Sequence, residues 1–180
     1  RIYTTRSTDG GETWTRPAPL GPLPYPGAGI TCKPFALPDG ELFVPLEVQT
    51  EAGVNATAAV FSQDGGQTFG PPLMCADDPE GHLNLCDGRF ALLNDDRLLM
   101  LLWTFRQADE RTIDVHRSFS EDQGRSWSEP EPTGFVGQVT APLALPSGDV
   151  IAVSNFRQPP EGIRLWLSSD YGESWHTDQA

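Results

Sequence analysis

The chain has 180 residues, and its 12 Lys and Arg against 25 Asp and Glu give a formal net charge of −13. That balance excludes a general nucleic-acid binder, which needs a basic stripe to displace counterions from phosphate. A hydrophobic content of 38% excludes wholesale disorder, and 18 Gly, 17 Pro and five Trp point to a turn-rich all-β protein with aromatic anchors.

In chain order, Arg1-Ile2-Tyr3 opens without a Met or a basic-then-apolar leader, which reads as a processed or excised segment. An octapeptide follows, Ser7-Thr8-Asp9-Gly10-Gly11-Glu12-Thr13-Trp14, and it recurs at Ser62–Phe69, Ser120–Trp127 and Ser168–Trp175. The pattern is S-x-D-x-G-x-[ST]-[WF], and its aspartates Asp9, Asp64, Asp122 and Asp170 lie 55, 58 and 48 residues apart. The carboxylate is suited to accept N–H bonds inside its own tight turn, the glycine supplies positive φ, and the aromatic plugs into a core. These aspartates are therefore structural. The box lacks the spaced carboxylates and closing Glu of a calcium loop, so no metal or other cofactor is expected.

Between the boxes runs a weaker repeat: Phe35–Gly40, Ala91–Asp96 and Leu143–Gly148. Each copy is a short apolar strand and a turn, followed by a second apolar strand: Glu41–Val48, Arg97–Phe105 or Asp149–Phe156. A third strand alternates just before the box, as in Thr57–Phe61 and Ile163–Leu167. Four antiparallel strands in about fifty residues make a β-propeller blade. A β-sandwich with coincidental repeats is the competing architecture. The predicted divisions are 1–27, the end of one blade; 28–80; 81–134; and 135–180, all within one propeller segment. Closed propellers have at least four blades, so about three blades plus a flanking hairpin form a partial propeller.

Three other signals are weaker. Leu98–Trp103, the longest apolar run, is too short to span a bilayer. Cys32, Cys75 and Cys86 allow one disulfide but show no CxxC or CxxH spacing, so structural thiols are expected. Asn55-Ala56-Thr57 fits a glycosylation sequon, which predicts an exposed stretch.

Strand parity separates two faces. If the first strand of each blade runs downward, the Leu-Pro-Asp-Gly-type turns and the boxes share the bottom, and any pocket opens at the top. Aligned repeats put Lys33, Arg89 and Ala141 at one top-face level and Glu47, Trp103 and Asn155 at another. Loops and linkers add Arg106, Asp109, Glu110, Arg157, Tyr25, His82, Asp87 and Gln138. Arg89, Arg106 and Arg157 all map to this side, and guanidinium groups grip a carboxylate bidentately at any working pH.

The octapeptides are identified as Asp-boxes, and the chain resembles the sialidase (neuraminidase) superfamily of six-bladed BNR-repeat propellers. Further likeness to bacterial sialidase-like proteins lies in Leu102-Trp103-Thr104, Gly137-Gln138-Val139 and Gly162-Ile163-Arg164. The resemblance implies exo-cleavage of a terminal acidic sugar from glycoconjugates, with arginines on the sugar carboxylate and a Tyr nucleophile paired with a Glu. Mapped here, Tyr25 is the nucleophile candidate, Glu47 the base and Asp87 the acid, with Arg89, Arg106, Arg157, Trp103 and Gln138 binding substrate. The family's Arg-Ile-Pro motif is not at its expected place, since Arg1-Ile2 lacks the Pro; Phe156-Arg157-Gln158-Pro159 resembles it in the last unit. Expected partners are a glycan or glycoconjugate and the remaining blades, from a longer chain or a second one, with no nucleic acid and no membrane span. A secreted or periplasmic setting is expected ahead of a cytoplasmic one. Two other functions stay open: a non-catalytic propeller binding glycan or protein through Trp103 and Phe105, and a hydrolase of neutral polysaccharide using Glu47 with Asp87 or Asp109.

Overall fold

The computed structural model describes residues 1–176. Its strands are β1 (Tyr3–Thr4), β2 (Ala18–Pro19), β3 (Gly27–Gly29), β4 (Phe35–Ala36), β5 (Leu42–Gln49), β6 (Asn55–Ser62) and β7 (Leu73–Ala76). They continue with β8 (Leu83–Leu92), β9 (Leu98–Arg106), β10 (Asp114–Ser120), β11 (Glu131–Val136), β12 (Gln138–Ala144), β13 (Val150–Phe156) and β14 (Gly162–Ser168). Among the described residues no helix is long and apolar enough to cross a membrane.

Pairing is antiparallel throughout. The first full sheet is β3-β5-β6-β7 with β4 also on β5, the second is β8-β9-β10-β11, and the third is β12-β13-β14. Ahead of them β1 pairs with β2 around the first box. The second and third strands of each unit start and stop within one or two residues of the ranges expected from alternation. The innermost strand of the first sheet departs from expectation, because it is broken. β3 bonds the level of Glu47–Gln49 and β4 that of Leu42–Phe43, with Ile30–Pro34 looping between. Pro45 lies level with that break and carries no N–H to give a bridging strand.

The sheets stack face on face. In β5 the side chains alternate: Phe43 joins Ala59, Phe61, Leu98, Met100 and Leu102 in a core toward the second sheet. Val44, Leu46 and Val48 point the other way, onto Leu20, Ile2, Leu23 and Tyr25. Leu99, Leu101 and Val115 meet Val150 and Ala152 of the third sheet, where Phe135 stacks on Trp166 at 4.3 Å. Phe43 is fully buried and touches four other rings, those of Phe35, Phe61, Phe90 and Trp127. At about 25 cal/mol per Å², buried apolar area of this kind dominates the stability of such a stack.

All four boxes close in the same way. In the third, Asp122 Oδ1 accepts from Ser120 Oγ (2.9 Å) and the Arg125 and Ser126 N–H groups (3.0 and 2.8 Å), and Oδ2 accepts from Ser126 Oγ (2.6 Å). Ser120 Oγ in turn accepts the Gly124 N–H at 2.7 Å. Hydrogen bonds from Thr13 and Thr68 hold the Asp9 and Asp64 carboxyls well below the usual range. Asp122 and Asp170 are slightly desolvated, which raises their pKa, but the Ser126 and Ser174 donors outweigh it and the net direction is down.

The box glycine does a second job. A Cβ on Gly124 would lie 2.7 Å from Phe43 of the preceding sheet, and one on Gly172 would lie 2.9 Å from Leu99. An ion pair crosses each of these two seams at the same rung: Arg125 to Glu41, and Glu173 to Arg97 at 3.0 Å.

The sequon expectation is corrected. Asn55-Ala56-Thr57 lies inside β6, where Ala56 and Thr57 are buried and the Thr57 hydroxyl donates to the Leu85 carbonyl at 3.1 Å. The motif belongs to a strand pressed against the next sheet, so its polar residues bond across the seam rather than face solvent.

Candidate functional site

Register fixes which end of each sheet is which. The box ends are the rungs Leu42↔Ser62, Leu98↔Ser120 and Val150↔Ser168. Glu47↔Thr57, Cys86↔Trp103 and Gln138↔Asn155 lie toward the opposite end. The conspicuous aspartates and the candidate site residues therefore occupy opposite faces.

Candidate residues gather at two seams there. Between the first and second sheets, Glu47 Oε2 accepts the Asp87 N–H at 3.0 Å. Asp87 Oδ1 lies 3.5 Å from Arg89 Nη2. A bulge between Cys86 and Arg89 makes this contact, with Asp87 at φ 49°. Gly88 lets the bulge close, because a Cβ there would stand 2.7 Å from Thr57. Burial raises the Glu47 pKa, the Asp87 charge adds to this, and the Asp87 N–H and Arg89 oppose it. Arg89 Nε is buried with no hydrogen-bond partner among the described residues.

Between the second and third sheets, the Arg157 guanidinium sits 5.7 Å from the Trp103 ring centroid. Gln138 Oε1 accepts the Arg157 N–H at 3.2 Å. Trp103 packs on Phe105 at 5.3 Å and donates Nε1–H to Thr112 at 3.3 Å. The strand β12 repeats the bulge of β8, with Val139 at φ 51° two residues before Ala141, as Asp87 is before Arg89. A β-branched side chain in that region is strained.

Several predicted residues stand outside these clusters, Tyr25, Arg106 and His82 among them. Tyr25 packs with Val44, Leu46 and Val48, on the face of β5 opposite Glu47. Burial raises its pKa, and the charges acting on it are Cys75 and Asp77, not Glu47. The structure therefore does not bring the nucleophile candidate to the base candidate. Linker position alone could not reveal this, because it depends on which face of the strand the ring covers. Arg106 is engaged within its own loop by Asp109 at 2.6 Å. His82 sits on an exposed turn whose Asp78 carboxylate accepts the His82 and Leu83 N–H groups.

Sequence reasoning also missed several residues. Asn84 Oδ1 accepts the Asn55 N–H (2.8 Å), and Asn84 Nδ2 donates to Gln107 Oε1 (2.6 Å), extending the polar seam around Glu47. A buried Asn inside an apolar strand was the available signal. The cysteines are free, and Cys75 and Cys86 are buried. Burial pushes the Cys86 thiol up to about 12 and Cys75 further in the same direction. Among the described residues no three His, Cys, Asp or Glu side chains gather as a metal set.

A BNR repeat-like domain model matches residues 1–179. The chain belongs to the BNR repeat-like family. No curated protein matches its sequence. Among solved structures, a protein of unknown function from Dyadobacter fermentans superposes with a TM-score of 0.80 at 20% identity, covering 97% of this chain and 50% of that one. The Hadza microbial sialidase Hz136 gives a TM-score of 0.72 at 19% identity, over 97% and 39% of the two chains. The intramolecular trans-sialidase from Ruminococcus gnavus gives 0.68 at 17%, over 98% and 39%. The chain thus spans half or less of these structures, and its fold is a sialidase-like partial propeller: three antiparallel sheets and a flanking two-stranded one.

Proposed function

We propose that this BNR-repeat segment carries part of the site of a sialidase-type glycoside hydrolase acting on a terminal acidic sugar. The observation that carries the reading is the Glu47–Asp87–Arg89 contact on the face opposite the boxes, with Arg157, Gln138 and Trp103 on the neighbouring seam. Arg89 and Arg157 supply cationic donors for a sugar carboxylate. Trp103 offers an aromatic face for the apolar side of a pyranose ring. Glu47, desolvated and with a raised pKa, suits proton transfer, and Asp87 supplies the second carboxyl. Attack by a phenol at this place calls for a tyrosine other than Tyr25, whose ring lies on the opposite face of the sheet.

Binding of sialyllactose to the 180-residue chain, followed by NMR, tests the grip. Arg89→Ala and Arg157→Ala should each weaken it about tenfold or more, the scale of one lost charge-assisted contact. Equal affinity for lactose and sialyllactose would sink the acidic-sugar reading and favour a neutral polysaccharide.

A second reading is a glycan-binding propeller without turnover, favoured by the Arg157–Trp103 stack and by the separation of Tyr25 from Glu47. A fluorogenic sialoside given to the full-length protein separates the two. Turnover lost in Glu47→Gln supports the hydrolase; binding that survives Glu47→Gln but fails in Trp103→Ala, with no turnover, supports the binder.

A further inference from the structure

On the box face the two seams between sheets are built from corresponding positions but filled differently. Between the second and third sheets, Glu173 of the last box takes two guanidinium groups, Arg97 at 3.0 Å and Arg117 at 3.5 Å. Arg117 stands level with Glu131 on the neighbouring strand and pairs with it at 3.2 Å. Counted back from the box serine, Arg117 corresponds to Ala59 of the first sheet. Its partner Glu131 corresponds to Leu73, which stands level with Ala59. The first seam therefore keeps only part of the cluster. Arg125, at the position of Glu173, pairs with Glu41, at the position of Arg97. The signs are exchanged, and the place of the second partner is taken by apolar side chains.

The shorter side chains leave room. A cavity of about 460 Å³ opens at this place, within the size range of small-molecule sites. Phe61, Phe69 and Leu73 form its apolar wall, and Glu41, Gln63 and Arg125 its polar one. Phe69 fills the box position that is Trp14, Trp127 and Trp175 in the other copies, a smaller ring on the cavity wall. The Arg125 guanidinium lies over Phe61, 3.8 Å from the ring centroid, and its side chain is half-exposed. Glu41 is buried, and no second carboxylate pairs with Arg125 among the described residues. A guanidinium offers five donors in a planar fork, and one carboxylate engages at most two in a bidentate pair. Arg125 thus keeps donors for a second anion, at the place where Glu173 meets its second cation.

We propose that the box-face cavity of the first seam is a binding site for a small organic carboxylate with an apolar or aromatic body. The carboxylate binds Arg125, and the body packs against Phe61, Phe69 and Leu73. Glu41 already shares the guanidinium, so a single negative charge suits the site better than a multiply charged phosphate. The cavity lies on the face opposite Glu47, Asp87 and Arg89, and none of its lining residues enters the proposed glycan site.

Titration of the full-length protein with 3-phenylpropionate, followed by calorimetry, tests this. 3-Phenylpropanol, which lacks the charge, and acetate, which lacks the apolar body, should each bind about tenfold or more weakly than 3-phenylpropionate. Arg125→Gln should weaken 3-phenylpropionate by a similar factor. Leu73→Glu places a carboxylate of the chain itself beside Arg125, at the position of Glu131, and should abolish binding while circular dichroism stays unchanged. That variant and the comparison of the three ligands decide the matter should Arg125→Gln, by leaving Glu41 buried and unpaired, fail to fold. No binding of 3-phenylpropionate up to about 10 mM, equal binding of 3-phenylpropanol, or binding undiminished by Leu73→Glu overturns the proposal. Failure here leaves the acidic-sugar reading untouched, since that reading rests on residues of the other face.

Discussion

Alanine placed at the box glycines separates turn geometry from blade stacking. All four glycines that close the boxes have positive φ: Gly11 at 97°, Gly66 at 84°, Gly124 at 87° and Gly172 at 91°. Any L-residue there costs about 1–2 kcal/mol. Only two of them press on the sheet before. The added Cβ meets Phe43 at 2.7 Å in Gly124 and Leu99 at 2.9 Å in Gly172, whereas Gly66 has Leu42 at 3.4 Å and Gly11 only its own Trp14 at 3.8 Å. Phe43 is walled in by four rings and cannot yield cheaply, so overpacking adds roughly 1–3 kcal/mol. The expected loss is therefore ~1–2 kcal/mol for Gly11→Ala and Gly66→Ala, and ~2–5 kcal/mol for Gly124→Ala. Gly172→Ala should follow Gly124→Ala. Urea unfolding with a constant m-value measures this. Phe43→Leu should couple to Gly124→Ala, the double variant losing less than the sum because the smaller side chain relieves the clash. Equal losses at all four glycines, with additive Phe43→Leu, would show that the glycine serves the turn alone.

Other outcomes follow from the same geometry. Glu47→Gln should flatten part of the pH dependence of stability. A raised carboxyl pKa means the folded state holds its proton longer, so wild-type stability falls as pH rises from the ordinary glutamate range through the raised value, and the variant lacks that fall. Asp122→Asn acts in the opposite sense: the lowered pKa gives stability above the ordinary aspartate range that is lost as pH drops, so the variant should be less stable at pH 7 and less acid-sensitive. In thiol labelling of the folded chain, Cys32 should react first and Cys75 and Cys86 only on unfolding; rapid labelling of all three would contradict the buried placement.

Repetition made much of this fold legible in the sequence. Four copies of one octapeptide, each following an alternating strand, fix the strand order, the turns and the blade spacing, because turn chemistry and period-two burial are local properties. The opposition of boxes and candidate site residues followed from strand parity alone, and so Glu47, Asp87 and Arg157 could be picked out among many surface charges. The contacts between them could not. Whether Asp87 reaches Glu47 depends on a bulge that needs glycine at position 88, because Thr57 of another sheet leaves no room for a Cβ. Tyr25 shows the same dependence from the other side. Its place in a linker was readable, but the face of β5 its ring would cover was decided by packing onto Val44, Leu46 and Val48. The sequon was read as exposed because a local motif says nothing of the sheet lying against it. Local chemistry thus determined the strands and turns, and the stacking of one sheet on the next decided which side chains share a site.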